Sequence, residues 1–458
     1  MVYELEKFIS SWKNKDGNVN STENLLNWIQ DLNEKTFVNI VNSAIGEDSF
    51  WFYNKETGIV QNKNKSFFTI EGLKEYRNDV LVTEHPIIIQ SEIGFIGIIA
   101  KEIDNEINFL MQAKIEPGNI NTVQISPTIQ ATKSNFTGAH GGARPNYLDY
   151  FVNAKNYTIV YDQIQSEQNS RFYKKRNRNM LILVEDDVEV LNNFAWMTLG
   201  QIKELMKIDN LVNMDTRTVI SGIPFSLKRS DVDSSYFSDS TLYNSMFAST
   251  AIDSLPLVFN MLNDDKMFTD TIIERVPLYE LSTWNITNEG IHPTFDSDFV
   301  VEYYDIEIEG REVRKWQQPL FKADGIATFG LLIKNIADVK HFLVKLEHES
   351  GVFDTVELGP TIQWESTHTH EKDNEVDRLF LDYVKNGKGI INDVILSEEG
   401  GRFYHEQNKN YIIELEADCL EVLPQGYIWV NFATLNFMIQ SNNMLNIQLR
   451  NLLSLLTI

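Results

Sequence analysis

One cysteine in 458 residues, Cys419, rules out an internal disulfide, and a CxxC metal knuckle fails on the same count. A reducing compartment fits. Long apolar runs are missing too: no stretch approaches the roughly 20 residues of a membrane span, and MVYELEKFISSWKNKDGN lacks the apolar core and cleavage site of a signal peptide. The expectation is a cytoplasmic protein with no membrane partner. Positive charge is scarce, 40 Lys and Arg against 65 Asp and Glu, and the net charge of -25 argues against a nucleic-acid partner. A small anionic ligand needs only a local cluster of donors, and Lys174, Lys175, Arg176 and Arg178 form one.

Cofactor signatures are also lacking. No GxGxxG follows a strand and no GxSxG occurs, so neither a nicotinamide nor a serine-nucleophile reading has support. Gly138-Ala-His-Gly-Gly142 lacks the GKS or GKT ending of a phosphate loop and reads as a mobile or pocket-lining loop. His368-Thr-His370 lies near Glu365, Glu371 and Asp373, which are metal-ligating residue types. Nothing in the spacing fixes such ligands, so a polar surface loop without metal is expected there.

What is present is a large apolar inventory, 43% hydrophobic and 11% aromatic, enough for two domains. It is arranged as a repeat. PTIQ at Pro127–Gln130 recurs at Pro360–Gln363, an offset of 360 − 127 = 233. The same offset relates Glu116 and Gly118 to Glu349 and Gly351, Trp196 to Trp429, and Asn213 with Arg217 to Asn446 with Arg450. Arg171-Phe-Tyr173 recurs as Arg402-Phe-Tyr404 with an offset of 402 − 171 = 231, a two-residue deletion of the kind loops absorb. The Ser- and Asp-rich stretch from Ser226 to Ser245 suits a linker, giving a first domain over 1–228, a connection over 229–250 and a second domain over 251–458.

Each half reads as strands followed by helices, an α+β pattern. GFIGIIAKEI, NFLMQAKIE, TVQIS and TIQAT alternate with period two, Arg171 to Val184 reads as one long strand, and Trp196, Leu199, Ile202 and Leu205 recur at helical spacing. If Phe109, Met111, Ala113 and Ile115 face a core, then Leu110, Gln112, Lys114 and Glu116 share the opposite face. The next strands add Thr122, Gln124, Ser126, Thr128, Gln130 and Thr132, amides and hydroxyls that suit sugar hydroxyls better than an ordinary solvated face does. In RFYKKRNRN, Tyr173, Lys175, Asn177 and Asn179 would share one strand face, with Lys174, Arg176 and Arg178 on the other. The plain reading is a solvated edge; the functional one is a phosphate site.

FLMQAKIEPGNINTVQISPTIQATKSN, from Phe109 to Asn135, resembles the most distinctive block of the sugar 2,3-dehydratase family, and HPIIIQSEIGFIGIIAKE, YDQIQSEQNSRFYKKRNRNM, WMTLGQI and VNMDTRTVISGIP keep the family's order around it. Weaker second copies include WQQPL, VELGPTIQ, SEEGGRFYHEQN and PQGYIWV, so the resemblance spans about Trp51 to Leu452. It implies a homodimer of tandem Nudix-like mixed-sheet domains acting on a nucleoside-diphospho-4-keto-6-deoxyhexose, usually dTDP-linked, without a redox cofactor. A metal-binding Nudix box is missing from both halves, which counts against pyrophosphate hydrolysis. The implied product is a 3,4-diketo-2,6-dideoxy sugar, whose instability calls for an NADPH-dependent 3-ketoreductase as recipient. A non-catalytic nucleotide-sugar-binding protein is the remaining alternative.

The repeat itself sorts scaffold from site. Residues in both copies, such as Asn213 and Arg217, suit shared structure, whereas Gln112, Lys114, Asn119, Gln124, Lys133, Lys175 and Arg176 have unlike counterparts in the second half. The first half is therefore expected to be active. Candidate roles are Lys114 for the enolate, Glu116 for the base and Tyr173 for the acid. Lys175, Arg176 and Arg178 would contact the diphosphate, with Gln112, Asn119, Gln130, Lys133 and Asn177 in the substrate site.

Overall fold

Alternation of apolar side chains shapes a mixed sheet in each half. In the first, Thr158–Ser166, Arg176–Val184, Gly94–Ile103, Glu106–Ile115 and Phe194–Thr198 lie side by side in that order, and only the Arg176–Val184 to Gly94–Ile103 pairing is parallel. In the second, Ile390–Ser397, Gln407–Glu414, Ala327–Ile336, Val339–Glu347 and Tyr427–Asn431 pair in the same way. The computed structural model describes residues 4–132, 144–226, 232–247, 254–310 and 313–458; Lys133 and Gly138–Gly142 fall outside them. The architecture is mixed α+β, as expected.

The two-sided strand Glu106–Ile115 explains the layers. Phe109, Met111 and Ala113 enter a core shared with Phe342, Leu435 and Leu449 of the second half, while Leu110 packs with Phe151, Ile182 and Trp196 on the opposite face. One apolar core therefore runs through both halves, and its burial is the main favourable term holding them together.

Strand exchange adds to that union. Val38–Ser43, from the first half, pairs with Phe299–Ile308 of the second. Its counterpart Thr271–Val276, displaced by 271 − 38 = 233, pairs with Thr69–Arg77 of the first. Loops cross reciprocally as well. Gly118 N–H donates to Gly400 O and His405 N–H to Gly118 O, while Gly351 N–H donates to Asn169 O and Lys174 N–H to Gly351 O. A Cβ on Gly118 would stand 1.5 Å from Phe403 O, and one on Gly351 would stand 1.9 Å from Phe172 O. Only glycine permits that approach, which is why both recur.

The recurring Asn and Arg pairs are scaffold of a particular kind. Asn213 caps helix Met214–Ser221 by accepting from Thr216 N–H at 2.9 Å, and Asn446 caps Ile447–Ser454 through Leu449 N–H at 3.0 Å. Arg217 then donates across to Ser397 O at 2.6 Å, and Arg450 to Ser166 O at 2.5 Å. Each arginine is buried and clasps the opposite half.

Three local readings need correction. Arg171 to Val184 is not one strand: Lys174 takes a φ of 53°, so only Arg176–Val184 is continuous, with Phe172 bridging to Ile88. Trp196 belongs to strand Phe194–Thr198, and the helix begins at Leu199 behind a Thr198–Gln201 capping box. Within the expected connection, helix Ser240–Phe247 buries Leu242 and Met246, four residues apart on one face, in the shared core.

Candidate active site

Strand Glu106–Ile115 carries Lys114 half-buried at its end, where the ammonium meets Gln130 Oε1 at 2.6 Å and Glu116 Oε1 at 2.8 Å. Gln130 reaches this point because Ile129–Ala131 pairs with Gly94–Ile103, the inner neighbour of that strand. Gln112 lies half-buried on the same face, two residues before Lys114. The amide-rich face foreseen in the sequence thus surrounds a lysine held between a carboxylate and an amide.

The second half adds to this cluster. Its loop 398–402 brings Glu399 and Arg402, whose Nη1 lies 3.2 Å from Glu399 Oε1. Glu399 also accepts from Gly401 N–H at 2.9 Å, while its buried Oε2 has no hydrogen-bond partner among the described residues. Burial pushes its carboxyl up to about 7; Arg402 and Lys114 pull it down, and Glu116 and Glu167 push further up. Such a carboxyl exchanges a proton near neutrality. Asp215, also buried beside Glu167, Glu399 and Glu116, is raised well above the ordinary aspartate value by burial first.

Lys175 is 1% exposed and donates to Glu92 O at 2.6 Å. Burial, and then Arg402, lower its ammonium to about 8, against the pull of Glu167, Glu92 and Glu399. It therefore belongs to the same charge cluster. Asn177 stands behind it, donating to Glu167. The alternation holds here: Lys175, Asn177 and Asn179 are buried, Lys174 and Arg178 exposed, Arg176 half-buried.

Other candidates are placed elsewhere. Tyr173 packs beside Leu73, Ile87, Ile89 and Ile273 and lines a cavity of about 230 Å³ with Glu75, His348 and Glu349. Because the loops are exchanged, it is Tyr404, the counterpart of Tyr173, that packs on the small cluster containing Ile115. Arg176 lies over the Phe353 ring at 3.7 Å, and Phe353 and Lys174 line that same 230 Å³ cavity. Arg178 makes an exposed pair with Asp162 at 2.7 and 2.6 Å. Asn119 is buried and donates to Thr122 O at 2.9 Å, closing the turn after the strand. Lys133 lies outside the described residues.

A corresponding region in the second half is built with different charge. Arg171 contacts Asp298 at 2.7 Å, Glu365 at 3.3 Å and Glu406 at 3.9 Å. A cavity of about 290 Å³ there is lined by His85, Arg171, Trp284, Asp298, Glu349 and Glu365 among others. Burial, reinforced by neighbouring carboxyls, raises Glu349 and Glu406 to about 8, so both hold protons at neutral pH. Neither of the two cavities includes Lys114. Cations line both cavities, Lys174 the first and Arg171 the second, whereas Lys114, Lys175 and Arg402 line neither.

Glu399 and Arg402 lie outside the site expected from sequence, because the repeat points to the first half as the active one. The signal was present: Glu399 stands where the first half has Gln168, by 399 − 168 = 231. Only the loop exchange reveals which site it serves.

Comparison with known proteins gives a consistent answer. A family model described as NDP-hexose 2,3-dehydratase matches residues 22–223 and 257–456. A dTDP-4-dehydro-6-deoxy-alpha-D-glucopyranose 2,3-dehydratase of Saccharopolyspora spinosa is 36% identical over 429 residues, covering 90% of this chain and 88% of the relative. Proteins of the same description from Amycolatopsis orientalis and Streptomyces violaceoruber are each 34% identical, over 96% and 88% of this chain and 91% and 90% of their own lengths.

Proposed function

The chain belongs to the NDP-hexose 2,3-dehydratase family, and on that footing we propose that it dehydrates dTDP-4-dehydro-6-deoxy-glucopyranose across C2 and C3 at the hollow around Lys114. The observation that carries the placement is the meeting of the Lys114–Glu116 pair with Glu399, a buried carboxyl raised to about 7 with one oxygen unpartnered among the described residues.

The C4 ketone acidifies the C3 proton. Glu116 takes that proton, and the electron pair moves toward the C4 oxygen, where the Lys114 ammonium stabilises the enolate. The enolate then expels the C2 hydroxyl, which leaves as water after receiving a proton from Glu399. The resulting enol tautomerises to a 3,4-diketo-2,6-dideoxy sugar. Lys175 and Arg402 supply positive charge toward the diphosphate, and Gln112 and Gln130 hydrogen-bond the sugar.

Each half is read as a Nudix-like domain, the chain as a cytoplasmic homodimer, and a separate NADPH-dependent 3-ketoreductase as recipient of the unstable product. The deciding experiment is incubation with dTDP-4-dehydro-6-deoxy-glucopyranose, with and without such a reductase and NADPH, followed by mass spectrometry. Loss of one water, trapped as a 2,6-dideoxy nucleotide sugar only with the reductase, is expected. Intact substrate would overturn the proposal, and release of thymidine monophosphate would replace it with pyrophosphate hydrolysis.

A further inference from the structure

The loop after strand Ile362–Trp364 gathers three side chains that the reaction does not use. His368 Nε2 lies 2.9 Å from Asp373 Oδ1, and His370 Nδ1 lies 2.8 Å from Asp373 Oδ2. All three donor atoms fall within 4.8 Å of one another. Two imidazoles thus converge on opposite oxygens of one carboxylate.

Packing fixes each of them. His368 stacks on Trp364 with ring centroids 4.7 Å apart and an interplanar angle of 6°, and His370 meets the same indole edge-on at 5.3 Å and 76°. Asp373 is the residue before the capping box that starts helix Glu375–Asn386, and its carbonyl accepts from Arg378 Nη1 at 2.5 Å. Its side chain is 3% exposed, whereas that of His370 is 54% exposed. The carboxylate is therefore buried beneath two held rings, with one ring open to water.

We propose that His368, His370 and Asp373 form a binding site for a divalent transition metal of the zinc class. Two imidazoles and a carboxylate are a zinc ligand set, with a fourth position left for water. Bonds of about 2.0–2.1 Å to a tetrahedral ion place donors roughly 3.3 Å apart. The His–Asp separations of 2.9 and 2.8 Å need to open by a few tenths of an ångström, and the widest separation in the set, within 4.8 Å, needs to close as the rings turn toward the ion. Each imidazole would switch tautomer, turning a lone pair toward the ion in place of the N–H now facing Asp373. The ion would pin the loop that begins at Glu365, whose carboxylate receives Arg171 and lines the 290 Å³ cavity. The site is thus suited to holding a cavity wall in place, away from Lys114.

The test is calorimetric titration of the chelator-stripped full chain with Zn²⁺ and, separately, Mg²⁺, with circular dichroism of every variant. One equivalent of Zn²⁺ and no Mg²⁺ should bind. H370A, at a half-exposed position, and D373N should each lose that equivalent while keeping the wild-type spectrum. C419S should retain it, although Glu416, Asp418 and Cys419 make a second possible cluster. The proposal is overturned by no Zn²⁺ binding, by undiminished binding in folded H370A, or by loss in C419S instead.

Discussion

Where the first half carries Lys114, Gln168 and Lys175, the second carries Glu347, Glu399 and Glu406. Exchange of the loops then redistributes these differences. Glu399 joins Lys114 and Lys175, whereas Gln168 donates to Glu398 on the other side. The cluster at Lys114 brings three cations, Lys114, Lys175 and Arg402, together with the carboxyls of Glu116, Glu167, Asp215 and Glu399, the last raised to about 7. The region at Arg171 gathers Asp298, Glu365 and Glu406 around one guanidinium. Duplication supplied two similar frames, and a few charge changes set the cluster at Lys114 apart from the one at Arg171.

The largest effects should come from erasing the difference. K114M and E399Q should each lower kcat by about 10²–10⁴-fold, the range for losing an acid, base or oxyanion partner, with circular dichroism unchanged. K345M, the change at the position corresponding to Gln112, should leave kcat within a few-fold of wild type. Equal losses in both regions would break the comparison.

The next tests the union of the halves. Arg450 is buried and donates to Ser166 O, Leu445 O and Thr218 Oγ1, so R450M should cost about 3–5 kcal/mol in urea unfolding by stranding those acceptors. A shift below about 1 kcal/mol would mean the clasp contributes little.

A smaller effect lies in the pH profile. Glu399 must be protonated to act as the acid, so kcat should fall as pH rises through about 7. E399Q, which cannot titrate, should flatten that limb in its residual rate. A limb that persists in E399Q assigns the proton to another group.

Smallest of all is R178A. Its pair with Asp162 is exposed, and such pairs contribute about 0–1 kcal/mol. Thermal unfolding and KM should stay near wild type; a KM rise of tenfold would return Arg178 to the diphosphate site.

Much was legible in the one-dimensional pattern because period-two alternation records which face of a strand is buried. Phe109, Met111 and Ala113 lie in the core as their spacing required, and Lys114 meets Glu116 and Gln130 across the polar face. Tyr173 shows the limit of that reading. Its neighbours in sequence suggested the site of Lys175, yet Lys174, at a positive φ, ends the alternation between them, and Tyr173 turns to the cavity of Glu349.

By itself, then, the sequence determined the repeat, the α+β strand order, the polar face of Lys114 and the family, since each depends on residues close together or on a fixed offset. Only the tertiary structure decided that Val38–Ser43 and Thr271–Val276 change sheets, and that Glu399 rather than Gln168 stands with Lys114. Those outcomes depend on contacts between segments hundreds of residues apart, where two chemically similar loops compete for two similar places. Close backbone approach at Gly118 and Gly351 permits that arrangement, a steric condition that no local pattern expresses.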